Sequence, residues 1–110
     1  MTIPEWLRNR DISTQFHAGE EAWQPVIISL DESGGSYKTP NGDEEGTFHY
    51  IAHGSHPNGG DIVILHWKEN HGPFEGHTGV DTLWFQQQEQ DISVRGTFFV
   101  DNATDYGEIG

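Results

Sequence analysis

The chain has 110 residues, of which 18 are acidic and five are Lys or Arg, and its formal net charge is −13 with histidine neutral. A net field of that sign repels phosphate, which argues against nucleic acid and anionic membranes as partners. Without cysteine the chain can form neither disulfides nor thiolate metal sites, so its stability has to come from packing alone. Its length fits one domain, 1–110, with one core, and aromatics at 12%, including four Trp, concentrate the apolar material in large side chains. No apolar run approaches the roughly 20 residues of a membrane helix, and MTIPEWLRNR lacks the pattern of a secretory signal, so a cytoplasmic location is expected.

In chain order, Thr2-Ile3-Pro4-Glu5 has the form of a capping box and predicts a short helix over 3–10. Ile3, Trp6 and Leu7 share one face of it, and so short a segment is expected to plug one end of a sheet structure. Residues 12–19 form a weak strand candidate and 23–30 a stronger one, with Pro25 indicating an edge or strand-start position. A turn follows at 31–36, then a brief strand at 37–39 and another turn at 40–42.

The most informative stretch, GTFHYIAHGSHPNGGDIVILHW (46–67), carries four of the seven histidines and reads as a β-hairpin. Strand alternation puts Phe48, Tyr50 and Ala52 on one face and His49, Ile51 and His53 on the other. On the return strand, Val63, Leu65 and Trp67 oppose Ile62, Ile64 and His66. The apolar-to-apolar register then gathers His49, Ile51, His53, Ile62, Ile64 and His66 on one face. In a small barrel that face is expected to line a cavity, which makes these six the candidate ligand-binding residues. His56 belongs to the hairpin tip.

Residues 69–79 read as a long loop, 80–87 and 92–101 as a second hairpin, and 102–110 as a flexible tail. Arg95 lies mid-strand on the face of Ser93, Thr97 and Phe99, where snorkelling outward is expected. The acidic pairs Glu20-Glu21 and Asp31-Glu32 and the run Asp43 to Glu45 fall in loops and read as solvated surface.

Six or seven short strands and a single helical segment predict an all-β fold, a small antiparallel barrel or a sandwich with a short N-terminal helix. In architecture this arrangement resembles a calycin-like meander. No nucleophile elbow, phosphate loop or dinucleotide fingerprint is present.

The first functional expectation is a barrel that binds a small apolar or weakly cationic ligand and needs no cofactor. The second is an acidic protein-interaction or inhibitor module. The third is a histidine-dependent enzyme, assisted by a divalent metal on His49, His66 and Glu69 or using pairs such as His66 with Asp81 or Asp81 with Arg95 for acid–base steps. A homodimer through a sheet edge or face is a further expectation.

Overall fold

The computed structural model describes all 110 residues. Eight antiparallel strands follow one another around a closed barrel, each paired with its neighbours in sequence and the last paired with the first. They are β1 (Asp11–Ala18), β2 (Gln24–Leu30), β3 (Gly34–Lys38), β4 (Glu45–Ser55), β5 (Asp61–His71), β6 (Thr78–Gln88), β7 (Asp91–Val100) and β8 (Tyr106–Ile109). Of the two predicted alternatives, the barrel is the one formed. No helix is long and apolar enough to cross a membrane.

Alternation decides the interior. Ile12 and Phe16 of β1, Val26, Ile28 and Leu30 of β2, Val63, Leu65 and Trp67 of β5, and Leu83 and Phe85 of β6 belong to the core or pack against it. The residues between them point outward, as period-two geometry requires. Pro25 sits second in β2, a strand-start position where its missing N–H costs little.

The N-terminal helix is shorter than expected. A single 3-10 turn spans Glu5–Leu7 with no side-chain cap. The hydroxyl of Thr2 accepts a hydrogen bond from the Arg8 guanidinium at 2.9 Å and so caps no helix amide. Extended backbone at Arg8 and positive φ at Asn9 then turn the chain into β1. The plugging role stands: Ile3 and Leu7 are fully buried, and Trp6 Nε1 donates to Asp61 Oδ2 at 2.8 Å, tying the plug to the start of β5.

Residues 102–110 form no free tail. Gly107 and Ile109 are buried, and β8 bridges β7 to β1. Without β8 the seven remaining strands would form an open sheet with two unpaired edges, β1 and β7, and these four residues cover them.

The hairpin of β4 and β5 departs from simple alternation. Tyr50 opposes Leu65 but Ala52 opposes Ile64, so Ile51 is an extra residue forming a β-bulge. Beyond the bulge parity reverses, and His53 opposes the interior residue Val63, away from the face of His66.

Candidate functional site

A cavity of about 70 Å³ lies in the half of the barrel away from the N-terminal plug. Its wall comes from the end of β1, the start of β2, β3 to β8 and two loops, with Glu44 preceding β4 and Phe74 between β5 and β6. Holding a water takes roughly 10–15 Å³, so the space suits several waters or one small organic group. Six lining residues are aromatic: Phe16, Tyr37, Phe48, Trp67, Phe74 and Phe98.

The cavity exists because three of these rings lie against the wall and leave the lumen open. Tyr37 pairs across strands with Gly46, Trp67 with Gly79, and Phe98 with Gly107. At each of the three glycines a Cβ would collide with the ring of its cross-strand partner. Glycine is therefore the residue that lets each ring lie flat on the opposite strand.

Into this aromatic chamber project three carboxyl groups. Glu44, Glu69 and Asp81 are 7%, 2% and 5% exposed. Glu69 is the organised one: Oε1 accepts from the Tyr37 hydroxyl at 2.9 Å and Oε2 from the Phe74 backbone N–H at 2.7 Å. Those bonds fasten the loop between β5 and β6 over the chamber. Burial, reinforced by the neighbouring Glu69 carboxylate, keeps the Tyr37 phenol well above its ordinary range and therefore protonated.

Burial also pushes Glu44 up to about 8, helped by its hydrogen bond to Glu69 and by repulsion from that group. Asp81 is pushed up to about 8 by burial alone. It stands between Leu65 of β5 and Phe98 of β7, and its carboxyl has no hydrogen-bonding partner. Trp67 Nε1 is likewise without a partner, and it is fully buried. An unpartnered buried polar group costs about 1–3 kcal/mol, so each is a feature that calls for an explanation.

The chemistry available is thus an aromatic wall, a protonated phenol, an indole N–H donor and three carboxyl groups. No basic side chain lines the chamber. At neutral pH Asp81 can donate a hydrogen bond as the acid, or accept one as the carboxylate if a positive group stands beside it.

The residues singled out from the hairpin lie elsewhere. None of His49, Ile51, His53, Ile62, Ile64 and His66 lines the cavity. His49 opposes His66 on the outer face, Ile62 and Ile64 are half-buried there, and the bulged Ile51 is 50% exposed. His53 is exposed and accepts or donates a 2.7 Å hydrogen bond with Tyr50 Oη. The expected isoleucine-histidine cavity is thereby corrected: the aromatic face of the same hairpin, with Phe48 and Trp67, is the one turned inward.

The proposed metal set is divided by the barrel wall. Glu69 points inward while His49 and His66 point outward, and no cluster of three or more suitable side chains forms elsewhere. His66 Nε2 instead lies 3.2 Å from Asp101 Oδ2, which also accepts from the Thr78 hydroxyl at 2.8 Å. Hydrogen bonds from Thr78 and then His66 hold the Asp101 carboxyl below its usual range. The pairs His66 with Asp81 and Asp81 with Arg95 are separated in the same way, Arg95 being exposed on the outer face as expected.

Glu44 escaped the sequence reading, and Glu69 entered it only as a metal candidate and not as a chamber residue, because both fell in segments assigned to loops. The signal was present for Glu69: alternation through Val63, Leu65 and Trp67 reaches it if β5 is allowed to continue two more residues. Gly79, Asp81, Leu83 and Phe85 repeat the pattern in β6. Comparison of the chain with known protein families, curated proteins and solved structures finds no match.

Proposed function

We propose that this protein binds a small, mostly apolar molecule inside its barrel. The observation that carries the reading is the chamber of about 70 Å³ with aromatic walls, into which the Asp81 carboxyl projects without a partner. Apolar concavities with a few convergent polar groups are the usual form of small-molecule sites. A core selected for stability alone would fill this space and dispense with Asp81, because cavities and unpaired buried polar groups both cost free energy.

In this reading the plugged end serves as the floor and the loops around Glu44 and Phe74 form the entrance. The rings supply contact area, and Glu69, Asp81 and the Trp67 indole set orientation. Glu69 holds Phe74 at this entrance by its backbone N–H at 2.7 Å, beside the backbone bonds from Gly76 N–H to the Glu69 carbonyl and from Glu69 N–H to the His77 carbonyl.

The test is a titration of isotopically labelled protein with xenon and with a panel of small neutral and cationic organic compounds. The Trp67 indole N–H and the Val26 methyl resonances report the chamber; the Ile64 methyl and His66 resonances report the outer face. Shifts confined to Trp67 and Val26 support the reading. Shifts confined to Ile64 and His66, or none with any probe, refute it.

A further inference from the structure

We infer that the chamber's ligand is a small alkylated ammonium ion, its charged head surrounded by the rings of Phe16, Phe48, Trp67 and Phe98 and faced by the Asp81 carboxylate. The inference rests on the interior-binding reading and adds the chemical class of the ligand.

Three independent features converge on it. The first is the wall: six of twelve lining residues are aromatic, and the faces of aromatic rings attract cations, most of all desolvated quaternary or alkylated ammonium groups. The second is the charge balance. Three carboxyl groups and no Lys, Arg or His line the chamber, so no cationic side chain would offset the charge of a bound anion, whereas a bound cation would supply the missing countercharge. Buried carboxylates are ordinarily paired, and here the protein provides no partner for Asp81. The third is the rim. Glu20 and Glu21 lie between β1 and β2, Asp43 between β3 and β4, and Glu75 between β5 and β6, all at the open end and all exposed. Such a ring of charge concentrates cations at the entrance.

Alkylation of the head group follows from the same wall. A bare ammonium needs several acceptors in place of its water, and the chamber offers few because Glu69 is already engaged with Tyr37 and Phe74. A methylated head carries its charge on a surface that is itself apolar and gives up water at lower cost, which matches rings better than carbonyls do.

Binding should be linked to protons. The groups facing Asp81 are Leu65 and Phe98 on its two flanking strands, with Tyr37, Glu44 and Glu69 across the chamber. None of them is positive, so Asp81 takes up its proton in the absence of a cation and releases it when a cation enters.

The experiment is calorimetric titration of the intact chain with choline chloride and with 3,3-dimethylbutan-1-ol, its neutral carbon isostere, at pH 6, 7 and 8 and constant ionic strength. The expected result is a preference for choline of roughly tenfold or more at pH 8. Choline affinity should rise with pH by up to about tenfold per unit below 8, while affinity for the alcohol stays flat. The Asp81→Asn variant, with its fold verified by circular dichroism, should lose most of the preference and show a shallower pH dependence, the remainder coming from Glu44. The isostere comparison on the unaltered chain needs no variant and decides the matter if Asp81→Asn does not fold. If the alcohol binds at Trp67 as tightly as choline, the ammonium assignment is overturned and interior binding survives. If neither compound perturbs Trp67 and the xenon and panel titration is also silent there, both are overturned.

Discussion

Asp81 gives the sharpest stability prediction, because its carboxyl is 5% exposed and its shift has a single physical cause. An acid whose pKa rises on folding binds more protons in the native state than in the unfolded one at intermediate pH. Its contribution to stability is therefore unchanged below the unfolded pKa of 3.8, falls as pH rises, and levels off above about 8. At 1.36 kcal/mol per unit, the window from pH 5 to 8 corresponds to a loss of about 4 kcal/mol. Asp81→Asn keeps the shape and removes the titration. The variant should be about 1–2 kcal/mol more stable at pH 5, where the unfolded carboxyl is already ionised, and its advantage should grow by about 4 kcal/mol by pH 8. Urea unfolding of both at pH 5, 6, 7 and 8 measures this, and the difference between them cancels the slopes from Glu44 and Asp101. A difference independent of pH to within about 0.5 kcal/mol would refute the claim that Asp81 is desolvated and unpaired.

Other substitutions probe the devices that shape the chamber. Gly79→Ala drives a Cβ into the Trp67 ring and the Phe99 carbonyl, and should destabilise by about 2–4 kcal/mol and quench or shift the Trp67 emission. Tyr37→Phe removes the hydroxyl that donates to Glu69 and should cost about 1–3 kcal/mol, with faster hydrogen exchange at the Phe74 amide as the local readout. Leu7→Ala hollows the plug and should cost about 2–5 kcal/mol by urea unfolding. Deleting residues 102–110 unpairs β1 and β7 and should convert the protein into aggregating species on size exclusion, whereas deletion of a true tail would leave elution and stability unchanged.

Much of the architecture follows from local chemistry. The positions of β2, β4, β5, β6 and β7, the turns between them and the single plugging turn at Trp6 are written in alternation and turn residues, which act over a few neighbours. Arg95 facing outward follows from the same period-two rule. The grouping of Phe48, Leu65 and Trp67 on one face was equally legible, since it pairs the most apolar residues across the hairpin, but the sequence pointed to the opposite face as the one lining a cavity.

What local pattern could not supply was closure and its consequences. β8 is four residues of mixed polarity, and only the unpaired edges of β7 and β1 make a strand of it. The bulge at Ile51 reversed the parity of His53, because one extra residue is invisible until both strands are aligned.

The site depends on closure most of all. Glu44, Glu69 and Asp81 belong to separate segments, and composition assigns acids to water unless a wall surrounds them. A closed barrel has an inside, so a residue on the apolar face near the open end is desolvated whatever its type. The amino-acid sequence by itself determined that this chain forms a small antiparallel β structure with one aromatic face. Only the tertiary structure decided that this face encloses a chamber, that glycines opposite Tyr37, Trp67 and Phe98 keep it open, and that three carboxyl groups stand within it. The physical reason is that strand alternation is a property of neighbours in the chain, whereas burial of a charge is a property of everything the chain brings around it.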